Sequence, residues 1–209
     1  WLDGMKSASK SFAFGITEPE HGSDATHMET VGRRDGDGWV ISGEKTWNTG
    51  VHVADADLVM ARTSGSAGDG LGITAFLVPM TTPGVKVEEY LWTFNMPSDH
   101  ARVSFTDVRL PDSAIFGEEG HGLAVVQHFF NENRIRQAAS SLGAARYCIN
   151  EAVDYANQRK PFGKRLSVNQ GIQFPLVDLH ARSEMLQALI HKTAWLMDRD
   201  GAFSVSDKV

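Results

Sequence analysis

The sequence of 209 residues is poor in cysteine and in positive charge, and each shortage excludes a class of protein. Its one cysteine, Cys148, rules out a disulfide within the chain, and a reducing compartment fits this composition. Cys148 lies in an apolar helical pattern, so we expect it to be buried. The formal net charge of −6 argues against a nucleic-acid-binding surface, which would need a basic excess. No apolar run approaches the length of a membrane span.

Motifs that mark several common active sites are also missing. Eight histidines are present, but no His-Glu-x-x-His motif or clustered Cys/His spacing occurs, so no metal site is predicted. Residues 42–46 lack the upstream glycine of a phosphate-binding loop. Residues 117–122 lack the Gly-x-Gly-x-x-Gly order of a dinucleotide-binding fold. The absence of Gly-x-Ser-x-Gly disfavours a serine hydrolase.

The hydrophobic pattern changes from the period of strands to the period of helices along the chain. From Phe14 to about Leu110, short alternating runs separated by turns predict a β-barrel or sandwich. One hairpin is predicted with its turn at residues 42–44. Apolar residues recur at helical spacing from Gly122 to Arg159 and from about Val168 to Asp198, which predicts two helices. We therefore expect an α+β protein with its strands and helices segregated.

Polar and aromatic side chains gather in three separate stretches. Thr17 and Ser23 lie at a predicted strand end, Trp47 to Thr49 at a second, and Arg159 to Gln170 between the two predicted helices. Tryptophan can pack along a flat ring system, threonine hydroxyls can donate to ring nitrogens, and arginine can bind a pyrophosphate bidentately. Together these suit a flavin dinucleotide, although each also has an ordinary role, such as Trp47 in the core or Arg159 beside a helix dipole.

The same three stretches resemble the flavin-site motifs of acyl-CoA dehydrogenases. They read Ile-Thr-Glu-Pro followed by Gly-Ser-Asp in residues 16–24, Gly-Glu-Lys-Thr-Trp-Asn-Thr in residues 43–49, and Gln-Arg-Lys-Pro-Phe-Gly-Lys-Arg-Leu followed by Asn-Gln in residues 158–170. The resemblance implies that residues 1–117 form the family's middle β-barrel domain. Residues 118–209 would form the first helices of its C-terminal four-helix bundle. The family's N-terminal helical domain and the end of the bundle would then lie outside this chain.

The resemblance also implies a role for particular residues at an FAD site. The expected FAD contacts within one subunit are Phe14, Ile16, Thr17, Trp47, Asn48 and Thr49. The residues expected to reach the FAD of a neighbouring subunit are Arg159, Phe162 and Gln170. The expected acyl-CoA contacts are Ser23, Asn131, Asn133 and Arg134. A site of this kind would be shared between subunits of a homodimer or homotetramer.

The reaction implied by the resemblance is α,β-dehydrogenation of an acyl-CoA to the trans-2-enoyl-CoA, a step of fatty-acid β-oxidation. Electrons would pass to an electron-transfer flavoprotein. Most members of the family have their catalytic glutamate at a place that would follow Val209, and a minority have it at the position of Asn133, which cannot take a proton. We therefore expect the base to lie outside this chain, with Glu132 in reserve.

Two other functions stay open at the level of the sequence. A flavin-dependent oxidase or monooxygenase on the same fold would pass its electrons to oxygen. A non-catalytic homologue would have lost its flavin. The dehydrogenase would be placed in the cytoplasm of a bacterium, or in the mitochondrial matrix or peroxisome of a eukaryote.

Overall fold

The computed structural model describes residues 1–94 and 99–201, which divide into two compact units. The first unit spans Trp1–Val126, and the second begins at Gln127. Residues 202–209 of the predicted second domain lie outside the described residues. The domain boundary between residues 117 and 118 stays a prediction.

The first unit is built on a seven-stranded sheet. A short helix, α1 (Leu2–Lys6), precedes it. The strands are β1 (Phe12–Gly15), β2 (Val31–Asp35), β3 (Gly38–Thr49), β4 (Ala56–Arg62), β5 (Ile73–Pro79), β6 (Val85–Leu91) and β7 (His100–Pro111). Their hydrogen-bonded order is β1-β4-β2-β3-β7-β6, and β5 pairs with β4 outside that path. Strand β4 runs parallel to β1 and β2, whereas the other pairings are antiparallel.

Alternation of apolar and polar residues places one face of the sheet in the core. In β7, Ala101, Val103 and Phe105 are buried, and the residues between them are partly exposed. Trp39 and Phe76 meet edge to face in the same core, with ring centroids 5.4 Å apart. Burial of this apolar face is the main favourable term in forming the sheet.

The hairpin predicted at residues 42–44 is wrong. Strand β3 runs unbroken through Gly43, which lies at a β-bulge where the register with β7 shifts. A Cβ atom at Gly43 would lie 2.5 Å from Thr30 Oγ1 and 2.6 Å from Thr30 Cα. This glycine therefore permits a close approach of two backbones rather than a turn. The real hairpin joins β2 to β3 and includes Gly36, at φ 62°.

The second unit contains two long helices, and both were predicted. Most of α2 (Gly122–Gln158) and all of α3 (Gln170–Asp200) belong to it. Two short 3-10 turns, Pro161–Gly163 and Leu166–Val168, connect the helices. Arg146 on α2 reaches Glu184 on α3 at 3.2 Å. The α+β class is confirmed, with the strands preceding the long helices along the chain.

Cys148 is exposed, so the expectation that it is buried is wrong. It borders an apolar groove between α2 and α3, lined also by Leu142, Ile149, Leu179 and Leu186. Within this unit α3 covers only one side of α2, and the apolar spacing of the sequence does not tell which apolar positions will be covered.

Across residues 1–94 and 99–201, every helix is too short or too polar to cross a membrane.

The close contact at Gly43 can be tested against Gly36. We expect Gly43→Ala to lower the free energy of unfolding by about 1–3 kcal/mol more than Gly36→Ala, because the new Cβ must displace Thr30. Gly36 also has a positive φ, but a Cβ there meets no atom within 4 Å, so its loss should be only the conformational cost of about 1–2 kcal/mol. Denaturant titration of the intact protein measures both. Equal losses would contradict a close contact at the bulge.

Candidate functional site

The segment that follows β1 is tied to β3. After Gly15 the chain enters a tight turn, in which the Glu18 N–H donates to the His21 carbonyl at 3.1 Å and the His21 N–H donates to the Glu18 carbonyl at 3.2 Å. The Thr46 N–H donates to the Thr17 carbonyl at 2.8 Å. The first two sequence motifs therefore lie side by side in the first unit.

A buried ion pair lies beneath this junction. The Lys45 side chain is 0% exposed, and its Nζ lies 2.8 Å from Glu18 Oε1. The Lys45 ammonium also donates to the Ile16 carbonyl at 3.3 Å. Glu18 in turn accepts hydrogen bonds from the N–H groups of Glu29, at 2.5 Å, and Thr30, at 3.0 Å. The pair therefore links the turn after β1, the start of β2 and the middle of β3.

Both members of this pair are ionised. Burial alone would raise the pKa of Glu18, but the Lys45 ammonium and the hydrogen bonds outweigh burial and hold that pKa below its ordinary value. Burial lowers the pKa of Lys45, and Glu18 opposes that shift. Geometry decides for the charged forms, because both carboxyl oxygens of Glu18 already face donors, so a proton on Glu18 would meet another donor. A neutral Lys45 would then leave this carboxylate buried without a cation. The stabilisation from Glu18 is present above its ordinary pKa of 4.5 and is lost as the pH falls through the lowered value.

The last residues of β3 alternate between the interior and the surface. Trp47 has a left-handed backbone conformation, with φ 55°, at a point where the register with β7 shifts, and it is 50% exposed. Asn48 is buried, and Thr49 is exposed again. The Trp47 ring lies 6.4 Å from the His100 ring, and Thr49 Oγ1 lies 2.9 Å from His100 Nδ1. The exposure of Trp47 excludes the ordinary reading of this residue as part of the core.

We call Thr17, Trp47 and Thr49 the β1–β3 wall. Its residue types fit a flavin, because they supply two hydroxyl groups and an exposed indole with a flat apolar surface. Within residues 1–94 and 99–201, the Thr17 hydroxyl has no hydrogen-bond partner and is available to a ligand. Phe14 is half-buried on β1, and Ile16 is buried just beyond it, so Ile16 can contact a ligand only through its backbone.

Ser23 lies on the surface of the loop that follows the tight turn. Asp24 accepts a hydrogen bond from the Thr26 N–H at 3.2 Å and so caps the 3-10 turn Ala25–His27. Ser23 is thereby held beside a defined turn and stays open to solvent.

In the part of the chain that the structure describes, no group of three His, Cys, Asp or Glu side chains could hold a metal ion.

The predicted acyl-CoA residues of α2 form a local network. Asn131 is buried, and its Oδ1 accepts hydrogen bonds from Gln127 Nε2 at 3.3 Å and Arg134 Nη1 at 3.1 Å. Asn133 is half-buried and accepts from Arg136 Nη2 at 3.1 Å. These contacts order the amide side chains. The substrate-binding roles of Asn131, Asn133 and Arg134 stay predictions.

Arg159, Phe162 and Gln170 lie at the other end of α2. The Arg159 carbonyl accepts from the Leu166 N–H at 2.8 Å, and Phe162 is fully exposed with φ 53°. About 40 Å of helix separates Asn131 from this end, because 27 residues follow Asn131 in α2 at about 1.5 Å each. The structure therefore does not bring the two predicted sets of second-unit residues together in one chain.

Two functional features escaped the sequence analysis. The sequence shows Lys45 only as one residue of the second motif, whereas the structure makes it the cation of the buried pair. His100 carries no motif and lies 51 residues from Thr49, so only the pairing of β3 with β7 reveals their contact. The alternation of β7 predicted a strand there but could not predict its neighbour.

Comparison with known proteins identifies the family. Residues 13–108 match the sequence model described as acyl-CoA dehydrogenase, middle domain, and residues 120–208 match the one described as acyl-CoA dehydrogenase, C-terminal domain. The chain belongs to the acyl-CoA dehydrogenase family, whose members are in general FAD-dependent flavoproteins.

Individual relatives agree with this assignment. The chain is 33% identical over 207 residues to acyl-CoA dehydrogenase FadE12 of Mycobacterium tuberculosis, covering 99% of this chain and 53% of that protein. It is 38% identical over 207 residues to the mitochondrial short-chain specific acyl-CoA dehydrogenase of Bos taurus, covering 98% of this chain and 50% of that protein. The chain thus spans about half the length of the curated relatives it matches.

A solved structure shares the fold. The butyryl-CoA dehydrogenase of Megasphaera elsdenii aligns with a TM-score of 0.88 and 31% sequence identity. The alignment covers 99% of this chain and 54% of that one. The predicted similarity to the acyl-CoA dehydrogenase fold is therefore confirmed.

The buried ion pair predicts a specific pattern of stability. We expect Lys45→Met to lower the free energy of unfolding by about 3–5 kcal/mol, because Glu18 is left buried without a cation. The double variant Lys45→Met/Glu18→Gln should recover part of that loss, since a neutral amide buries no charge and its single oxygen still accepts from one of the two backbone N–H groups. Chemical denaturation of the intact protein at neutral pH measures both values. A double variant as unstable as the single one would contradict the electrostatic role of the pair.

Proposed function

We propose that the intact protein is an FAD-dependent acyl-CoA dehydrogenase that converts an acyl-CoA thioester to the trans-2-enoyl-CoA. The observation that carries this proposal is the β1–β3 wall, in which the Thr46 N–H donates to the Thr17 carbonyl and the next residue, Trp47, is half-exposed. The Trp47 ring and the Thr49 hydroxyl both lie against His100. Membership of the family supports the same reaction. When bound, the flavin would supply the acceptor for the hydride from the substrate's β-carbon.

In this proposal, the residues of the wall hold and orient the flavin ring. Trp47 packs along one face of the ring and excludes water from it. Thr17 and Thr49 offer hydroxyl groups to its polar edge, and His100, bonded to Thr49, orients the second hydroxyl. Ile16 and Asn48 contribute mainly through their backbones, since both residues are buried, whereas Phe14 is half-buried on β1.

Removal of the α-proton requires a carboxylate on the substrate side. Asn133 cannot accept a proton, and Glu132 is exposed and lies 3.5 Å from His128. We therefore assign the base to a glutamate that follows Val209 in the complete chain. Ser23, Asn131, Asn133 and Arg134 are assigned to acyl-CoA, as hydrogen-bond donors and acceptors along the bound thioester.

The site is proposed to be shared between subunits. Arg159, Phe162 and Gln170 follow the end of α2, and about 40 Å of that helix separates its end from Asn131. This distance is too long for side chains at both ends of the helix to line one site. In a homodimer or homotetramer, Arg159 of one subunit can bind the pyrophosphate of the FAD held by another. Reoxidation would then proceed by electron transfer to an electron-transfer flavoprotein, in the bacterial cytoplasm, the mitochondrial matrix or the peroxisome.

Anaerobic titration tests the reaction. The intact protein, loaded with FAD and mixed with butyryl-CoA without oxygen, should lose the absorbance of oxidised flavin and form crotonyl-CoA. An electron-transfer flavoprotein or a dye should restore the absorbance rapidly, and air only slowly. Rapid return in air with peroxide formation would instead identify an oxidase. A protein that stays colourless with added FAD would overturn the proposal.

Arg159→Ala tests the shared pyrophosphate site. Loss of a charged, bidentate contact worth about 1.5–3 kcal/mol should weaken FAD binding about 10- to 150-fold. Retention of FAD after gel filtration and the Kd from fluorescence titration measure the effect. Arg199→Ala is the matched control, because Arg199 is an exposed arginine near the end of α3 that pairs with Asp200. Unchanged FAD binding in Arg159→Ala would rule out this assignment.

Glu132→Gln tests the location of the base. If the base follows Val209, this variant should keep its rate of anaerobic flavin reduction within about twofold, because surface substitutions of this kind change energies by about 0.5 kcal/mol or less. Stopped-flow absorbance at saturating acyl-CoA gives the rate. Loss of flavin reduction with normal FAD occupancy would instead make Glu132 the base.

A further inference from the structure

A second buried polar pair lies behind the β1–β3 wall. Asn48 on β3 and Asp57 on β4 are 1% and 0% exposed. Asn48 Nδ2 donates to Asp57 Oδ2 at 2.5 Å. In the sheet, Asp57 stands opposite Ala13 of β1 on one side and Val78 of β5 on the other. The carboxyl group of Asp57 therefore sits among apolar strands.

Each member of this pair has one oxygen without a partner. Among the described residues, Asn48 Oδ1 and Asp57 Oδ1 are buried and accept no hydrogen bond. A buried acceptor left unsatisfied costs about 1–3 kcal/mol. A single proton on Asp57 removes both deficits, because the acid O–H can donate to Asn48 Oδ1 while Asn48 Nδ2 donates to Asp57 Oδ2.

The surrounding charges also favour a neutral Asp57. Among residues 1–94 and 99–201, the cation that faces it is Lys45 of β3, which is already engaged by Glu18 at 2.8 Å. On the β1 side, the backbone of Gly15 hydrogen-bonds to the Asp57 carboxyl group. On the β5 side, Asp57 is paired with the apolar residue Val78. Burial raises the pKa of Asp57 to about 6, against the lowering effects of Asn48, Lys45 and the Gly15 backbone. Ionisation would therefore leave a second buried carboxylate without a cation of its own.

The pair also packs directly on the strands that carry the wall. A Cβ atom at Gly15 would lie 2.9 Å from Asp57 Oδ2 and 3.3 Å from Asn48 Nδ2, so only glycine fits above the pair. Gly15 is followed by the segment that leads to Thr17, and Asn48 lies between Trp47 and Thr49. A shift of either side chain therefore moves the wall at both of its strands.

We propose that Asn48 and Asp57 form a neutral acid–amide pair, in which Asp57 donates its proton to Asn48 Oδ1, and that this pair positions the β1–β3 wall. The side chains of both residues act by positioning the strands and touch no reacting atom, and the FAD contact assigned to Asn48 is through its backbone. The formation of the pair stands on its own geometry. Its effect on flavin binding rests on the proposed function.

Asp57→Asn tests the protonation state. An asparagine at 57 can exchange two hydrogen bonds with Asn48 and has no proton to lose, so it mimics the neutral acid. As the pH rises from 3.8 to about 6, the folding equilibrium constant of the wild type should fall relative to the variant by about tenfold per pH unit, and then level off. The sign follows because the folded protein keeps a proton that the unfolded chain has released. If the stability of the wild type instead rises relative to that of Asp57→Asn across this pH range, the proposed neutral pair is refuted.

Infrared spectroscopy detects the protonated carboxylic acid directly, independently of any effect on stability. Just below pH 6, the wild type should show the carbonyl band of a buried protonated carboxylic acid, and Asp57→Asn should lack it. Asn48→Leu, which removes the partner, should shift this band because the acid loses its acceptor. A wild type with no such band would overturn the proposal even if Asn48→Leu fails to fold.

The link to the flavin is measured separately, by the pH dependence of the Kd for FAD. Wild-type affinity should fall above about pH 6, as Asp57 loses its proton, whereas Asp57→Asn should show no such fall. Parallel profiles in the two proteins would overturn the positioning role while leaving the acid–amide pair intact. A wild type that binds no FAD at any pH would instead refute the proposed function, and the infrared and stability results would still decide the pair.

Discussion

The structure around the candidate site depends on the buried ion pair of Glu18 and Lys45. Two charges withdrawn from water are tolerable only when they are held together and their other hydrogen-bonding positions are filled. Here the Ile16 carbonyl accepts a hydrogen bond from Lys45, and the N–H groups of Glu29 and Thr30 donate to Glu18. The pair therefore fixes the turn after β1 against β2 and β3, and only that arrangement places Thr17 beside the end of β3.

The engagement of Lys45 by Glu18 has a consequence for the next buried polar group. Asp57 faces the same lysine but finds its charge already neutralised, so burial dominates and raises the pKa of Asp57 to about 6. The wall is thus backed by one ionised pair and one amide–carboxyl pair. Buried polar contacts of this kind hold side chains and strands in one geometry, as the proposed binding of a rigid planar ring would require.

The helical unit imposes a constraint of another kind. Helix α2 carries the predicted acyl-CoA residues in its first half, and the predicted flavin residues of this unit follow its end. A rigid separation of about 40 Å cannot be shortened by side-chain motion. If both sets are functional, they serve different sites, and a symmetric oligomer is the simplest way to supply the complementary set to each.

Local patterns in the sequence determined the segregation of strands and helices, both long helices and the three motifs of the family, because periodicity and motif order are carried by neighbouring residues. They did not determine contacts between distant strands. The sequence alone placed a turn at Gly43, where the structure has a bulge packed on Thr30, and buried Cys148, which is exposed. Strand pairing decided the first outcome and also brings Asn48 to Asp57, whereas the packing of α3 on one side of α2 decided the second. Register is set by long-range pairing, which no local pattern contains.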